Sequence, residues 1–125
     1  MRVLLIDDDA LVRQTLADRL AEEGIEVDGL ANAEDALVLL DAGQVPDVLV
    51  ADIDLGPGLG GLDLAAIARE RHPGVEVVLI SGVRPDPNRQ AVARRERFLR
   101  KPFAPSALAE AIRGAAAAAA DRGAG

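Results

Sequence analysis

The chain has 125 residues, a formal net charge of −7 and no cysteine. That length suits one domain around a single core, and the missing cysteines exclude disulfides, thiolate metal sites and a cysteine nucleophile. The acidic balance and an aromatic share of 2% argue against nucleic acid as a partner, which asks for a basic footprint or a stacking platform.

Val3–Ile6 is a four-residue apolar run, too short for a helix and suited to a strand buried on both faces. It meets three aspartates at once, so it is also too short for a secretory signal. No apolar run reaches the ~18 residues of a membrane span. A cytoplasmic protein with no membrane contact is therefore expected. Val12, Leu16 and Leu20 follow at helical spacing, with Gly24 as a stop. Ile25 and Val27 alternate with polar neighbours and read as a second strand. Asn32 with Asp35 three residues on resembles a capping box ahead of a helix over Ala36–Leu40, closed by Gly43.

Val48–Ala51 is a third strand. Gly56–Gly61 reads as a flexible loop, because it lacks the lysine of a phosphate-cradling motif. A helix over Leu62–Arg71 ends at His72-Pro73-Gly74, which makes His72 a surface residue. Val75–Ile80 is a fourth strand. Pro85 and Pro87 fall in a loop, Asn88–Arg95 has weak helical character, and Phe98-Leu99 is a short fifth strand. Pro105 suits a first helical turn and Ala107–Ala120 a helix that frays into Asp121–Gly125. Residues 1–118 form one domain in this reading and 119–125 a tail. Regular βα alternation with buried strands predicts an α/β fold, a doubly wound parallel sheet.

In such sheets ligands bind outside the carboxyl ends of the strands. The polar residues fall there. Asp7-Asp8-Asp9 follow the first strand, Asp52 and Asp54 the third, Ser81 the fourth, and Lys101-Pro102 the fifth. In a strand order 2-1-3-4-5 the first and third tips adjoin and crowd their carboxylates. Such a cluster repels itself and calls for a cation, and oxygen donors suit Mg²⁺. Asp9 is the best helix cap of the three. Lys101 is the only lysine beside thirteen arginines, which suggests a place for a compact ammonium. Carboxylate nucleophile, Mg²⁺, amine and hydroxyl together suit phosphoryl transfer.

Leu5-Ile6-Asp7-Asp8-Asp9, Val50-Ala51-Asp52, Ile80-Ser81-Gly82 and Phe98-Leu99-Arg100-Lys101-Pro102-Phe103, in that order, resemble the receiver domain of two-component response regulators. The likeness covers residues 1 to about 118. It implies a flavodoxin-like (βα)5 fold. It also implies that Asp52 accepts a phosphoryl group from a histidine kinase or a histidine phosphotransfer protein. Asp7, Asp8 and Asp52 would hold Mg²⁺ with the backbone carbonyl of Asp54, and Lys101 and Ser81 would contact the phosphoryl group. Ser81 and Phe98 would form the switch, although Phe98 reads first as core packing. Lys101-Pro102 would be a cis peptide. The expected output is a changed contact with a downstream protein, by a stand-alone receiver that is not an enzyme beyond phosphorylating and dephosphorylating its own Asp52.

The chain departs from the family pattern in its long glycine-rich loop after Asp52, its extra acid Asp54, and Phe98 in place of the common tyrosine. Its segment between Ser81 and Lys101 is short and arginine-rich. Residues 84–101 carry seven basic and two acidic side chains, either a solvated face or a docking surface for an acidic partner. Two alternatives remain. Val50-Ala51-Asp52-Ile53-Asp54 also resembles the first motif of haloacid-dehalogenase phosphatases, although there the nucleophile strand opens the chain. A receiver that is never phosphorylated and serves as an interaction module is the other.

Overall fold

The computed structural model describes residues 1–82 and 96–124. In chain order the elements are β1 (Arg2–Ile6), α1 (Ala10–Glu22), β2 (Glu26–Leu30), α2 (Ala33–Asp41), β3 (Val48–Asp52), α3 (Gly61–Arg71), β4 (Glu76–Ser81), β5 (Glu96–Arg100) and α4 (Pro105–Ala124). The strands form one parallel sheet in the order β2-β1-β3-β4-β5, the flavodoxin-like arrangement.

Strand periodicity builds the two halves of the core. Val3, Leu5, Val48, Val50, Val78 and Ile80 face Leu16, Leu20, Leu108 and Ile112 of α1 and α4. The alternate residues Leu4, Ile6, Leu49, Ala51, Val77 and Leu79 face Ala36, Leu40, Leu64 and Ala68 of α2 and α3. Right-handed crossovers explain the division. The chain moves one way along the sheet from β1 to β2 and the other way from β2 onward, so α1 lies on one face and α2 and α3 on the other. The reversal opens a crevice between the tips of β1 and β3.

Two expectations are adjusted. The second strand runs on through Asp28 and Gly29 to Leu30, because parallel pairing with β1 continues to Ile6↔Leu30. Its apolar signal is weak because it is an edge strand, exposed at Glu26, Asp28 and Gly29. The last helix, expected over Ala107–Ala120, spans Pro105–Ala124. The weak helix of Asn88–Arg95 lies outside the described residues. Among the described residues no helix is long and apolar enough to cross a membrane.

Leu49 sits fully buried on the central strand. Leu49→Ala is expected to cost about 2–5 kcal/mol of unfolding free energy. The 76% exposed Leu11, changed to Ala, should stay within about 0.5 kcal/mol. Urea unfolding midpoints compare the two.

Candidate functional site

Register puts the acids together. Ile6 pairs with Ala51, so Asp7 and Asp52 come next on neighbouring strands with the same pleat parity and stand side by side. A carboxylate oxygen from each of Asp7, Asp8 and Asp52 lies within 4.8 Å of the others. Asp7 and Asp52 are 0% and 5% exposed, whereas Asp8 faces solvent. Asp9 has a separate task. It caps α1, accepting the N–H groups of Leu11 at 3.0 Å and Val12 at 3.2 Å.

Lys101 supplies the counter-charge. Its Nζ donates to Asp52 Oδ2 at 2.7 Å and to Asp7 Oδ2 at 3.5 Å. Asp52 pairs with Ile80, and Ile80 with Leu99, so Lys101 leaves the sheet two strands away from Asp52, roughly 10 Å. Only a long side chain reaches back across β4. Lys101 N–H donates to Ser81 O at 2.7 Å, which prolongs the β4–β5 ladder and fixes where the side chain starts. The Lys101–Pro102 peptide is cis.

Burial pushes the Asp7 carboxyl above its ordinary range. The Asp9 amide and Lys101 pull it down without cancelling that rise, and the charge of Asp52 adds to it. Burial lowers the Lys101 ammonium, but the hydrogen bond and charge of Asp52, with Asp7, outweigh this and leave it raised. Three carboxylates against one ammonium leave two negative charges in a site made of oxygen donors. That fits a small divalent cation.

Two further features hold the acids in place. Arg13 Nη1 donates to the Asp7 carbonyl at 2.7 Å. Its side chain lies across Gly29, where a Cβ would come 3.0 Å from Arg13 Cγ. Gly61 opens α3 so close to β3 that a Cβ there would overlap the Asp52 carbonyl oxygen. Its N–H donates to Ile53 O at 3.1 Å. Neither feature is legible in sequence, since each depends on two elements meeting.

The model of the response regulator receiver domain matches residues 3–113. This chain belongs to that family. It is 36% identical over 112 residues to the transcriptional regulatory protein PdtaR of Mycobacterium tuberculosis, covering 89% of this chain and 54% of that protein. It spans about half or less of the length of the curated relatives it matches. Among solved structures, a response regulator receiver protein of Sinorhizobium medicae superposes with a TM-score of 0.88 at 27% identity, covering 95% of this chain and 96% of that one. TrrA of Thermotoga maritima, in complex with Mg²⁺–BeF, superposes with a TM-score of 0.82 at 27% identity, covering 91% and 97%. Receiver domains bind Mg²⁺ at an aspartate cluster and act as phospho-accepting switches rather than enzymes. These relatives do not favour the haloacid-dehalogenase-like reading.

The other expected residues of the receiver domain fall as follows. Ser81 is buried at the end of β4. Asp54 N–H donates to Asp52 Oδ1 at 2.9 Å, while its own carboxylate is exposed and outside the three-acid group among the described residues. Phe98 packs, partly buried, against the core half beneath α2 and α3. His72 ends α3, at the opposite end of the sheet from the acids. Arg84, Arg89, Arg94 and Arg95 lie outside the described residues, so the docking surface expected there has no structural description. Arg97 rests against Gly114 of α4.

Among the described residues nothing donates a hydrogen bond to Asp8, so removing its charge relieves repulsion without breaking a bond. The helix dipole of α1 opposes this by about 0.3–1 kcal/mol, less than two close like charges cost. Asp8→Asn is expected to raise the metal-free melting temperature by roughly 2–5 °C. Calorimetry in chelator checks it, and a fall would make the Asp8 carboxylate a structural acceptor.

Proposed function

We propose that this receiver domain serves a two-component phosphorelay with Asp52 as its phospho-acceptor. The carrying observation is Asp52 itself, a nearly buried carboxylate at the crevice between β1 and β3, held by Lys101 and flanked by Asp7 and Asp8. A partner histidine kinase or histidine phosphotransfer protein supplies the group. An Asp52 oxygen forms a bond to phosphorus as the phosphorus–nitrogen bond of phosphohistidine breaks. The neutral imidazole leaves with a proton from solvent.

Asp7, Asp8 and Asp52, with the backbone carbonyl of Asp54, are the residues that would hold Mg²⁺. The TrrA complex and the residual charge of the acid group support that choice. When bound, the cation offsets the negative charge of the incoming phosphoryl oxygens. Lys101, whose Nζ donates to Asp52 Oδ2 at 2.7 Å, supplies a second positive charge and passes from the carboxylate to a phosphoryl oxygen. Asp54 N–H, bonded to Asp52 Oδ1, keeps the carboxylate oriented. The Ser81 hydroxyl donates to the phosphoryl group and carries β4 with it. Phe98 follows by repacking, and a surface contact with a downstream protein changes.

Asp52→Asn should abolish the added phosphoryl mass when the protein is mixed with Mg²⁺ and a small acyl phosphate, while leaving the fold intact. Undiminished labelling of the variant would move the acceptor elsewhere. Lys101→Arg keeps the charge but replaces a compact ammonium with a planar fork. It should retain labelling at a reduced rate yet lose the response of Ser81 and Phe98. Backbone amide spectra with and without beryllofluoride compare the two proteins. A wild-type pattern of shifts would show that charge alone suffices.

A further inference from the structure

The stretch between Asp52 and α3 reads in sequence as slack, but the structure gives it fixed attachments. Ile53 N–H donates to Ile80 O at 2.8 Å at one end. At the other, Gly60 N–H donates to Asp63 Oδ2 at 3.3 Å. Between them Leu55 is buried in the core. Gly56 lies beside Asp8, and a Cβ there would sit 3.7 Å from Asp8 Oδ2.

The loop has one more attachment, and it comes from another element. Glu34, in the first turn of α2, accepts the Leu59 N–H at 3.0 Å through Oε1. Gly58 makes this approach available. Its φ is +96°, and a Cβ there would come 2.6 Å from the same Glu34 oxygen. A side chain at Gly58 would be strained by its backbone and would push the carboxylate away. The Leu59 amide holds the Glu34 carboxyl below its ordinary value, as a hydrogen bond to the charged form does.

We infer that Glu34 is a positioning residue for the acid site: by tying Leu59 to α2 it sets where the backbone between Asp54 and Gly56 lies against Asp8. The inference rests on the Asp52 reading above. Eight loop residues with glycines at 56, 58 and 60 have wide backbone freedom to lose. An oxygen ligand taken from such a loop binds better when the ordering is done before the cation arrives. The Glu34 tie does that without touching the cation or the phosphoryl group.

The test uses the full chain with Glu34→Ala and Glu34→Gln. Gln keeps an acceptor oxygen and loses the charge, whereas Ala loses both. Mg²⁺ affinity is read by titration calorimetry, and labelling by a small acyl phosphate is followed across Mg²⁺ concentrations. Glu34→Ala should weaken Mg²⁺ binding about three- to tenfold, slow labelling at low Mg²⁺ and recover the wild-type rate at saturation. Glu34→Gln should remain within about twofold of wild type on the same reasoning. Wild-type affinity in Glu34→Ala would overturn the inference. So would an equal loss in both variants, which would assign the effect to charge, or a labelling defect that persists at saturating Mg²⁺. Wild-type protein that neither binds Mg²⁺ nor takes the label would overturn the Asp52 reading instead, so the two failures are distinguishable.

Discussion

The site depends on one constraint, the crowding of three carboxylates around one ammonium. Water would let these groups separate. The sheet does not, because Asp7 follows β1 and Asp52 ends β3, neighbouring strands whose apolar residues are buried and whose register fixes both tips. The repulsion is local, and the apolar packing that holds the strands extends over both faces. That imbalance lets a small domain carry an unfavourable charge arrangement without unfolding. Lys101 relieves part of the strain and leaves a charge deficit, which is the condition for taking up a cation.

Much of the fold was legible because it rests on local pattern. The runs Val3–Ile6 and Val77–Ile80 are short and wholly apolar, as strands buried on both faces are. Their spacing by helical segments leaves few topologies once right-handed crossovers are imposed. The strand tips could then be read off the chain, and Asp7, Asp8, Asp52 and Lys101 come together as their positions require. The edge strand β2 was harder, since Asp28 and Gly29 carry no apolar signal and pair only because Leu4 and Leu5 lie beside them. The alanine run Ala115–Ala120 was legible as helix because alanine costs a helix the least of any residue, and α4 runs past it through Asp121–Ala124.

The parts of the site that could not be read are contacts between elements. Arg13 on the Asp7 carbonyl, Gly61 against Asp52 and Glu34 on the Leu59 amide each join residues that share no sequence pattern. The glycines illustrate this best. A glycine-rich stretch suggests freedom, yet Gly61 is small because α3 begins against the Asp52 backbone, and Gly58 is small because a carboxylate must pass. The same composition can therefore mark the most closely fitted backbone in the molecule. What separates slack from fit is whether a neighbour occupies the missing side chain's place.

These contacts also divide the acids by how they are held. Asp7 and Asp52 are fixed by strands, by Lys101 and by backbone amides at Asp9 and Asp54. Asp8 is exposed and has loop backbone at Gly56 for a neighbour. The rigid pair holds negative charge that a bound cation would offset, and under the role inferred for Glu34 the loop side would tune how well that cation fits. Lys101 belongs to the rigid set yet is joined through its own amide to Ser81, and β5 pairs Phe98 with Leu79 of β4. Under the proposed phosphorylation of Asp52, a change in charge there would act on Lys101 through space, and a movement of Ser81 would act on it through the backbone. The two routes would converge on one residue, whose compact ammonium can turn on its four-carbon stem to follow the charge while its amide stays bonded to Ser81.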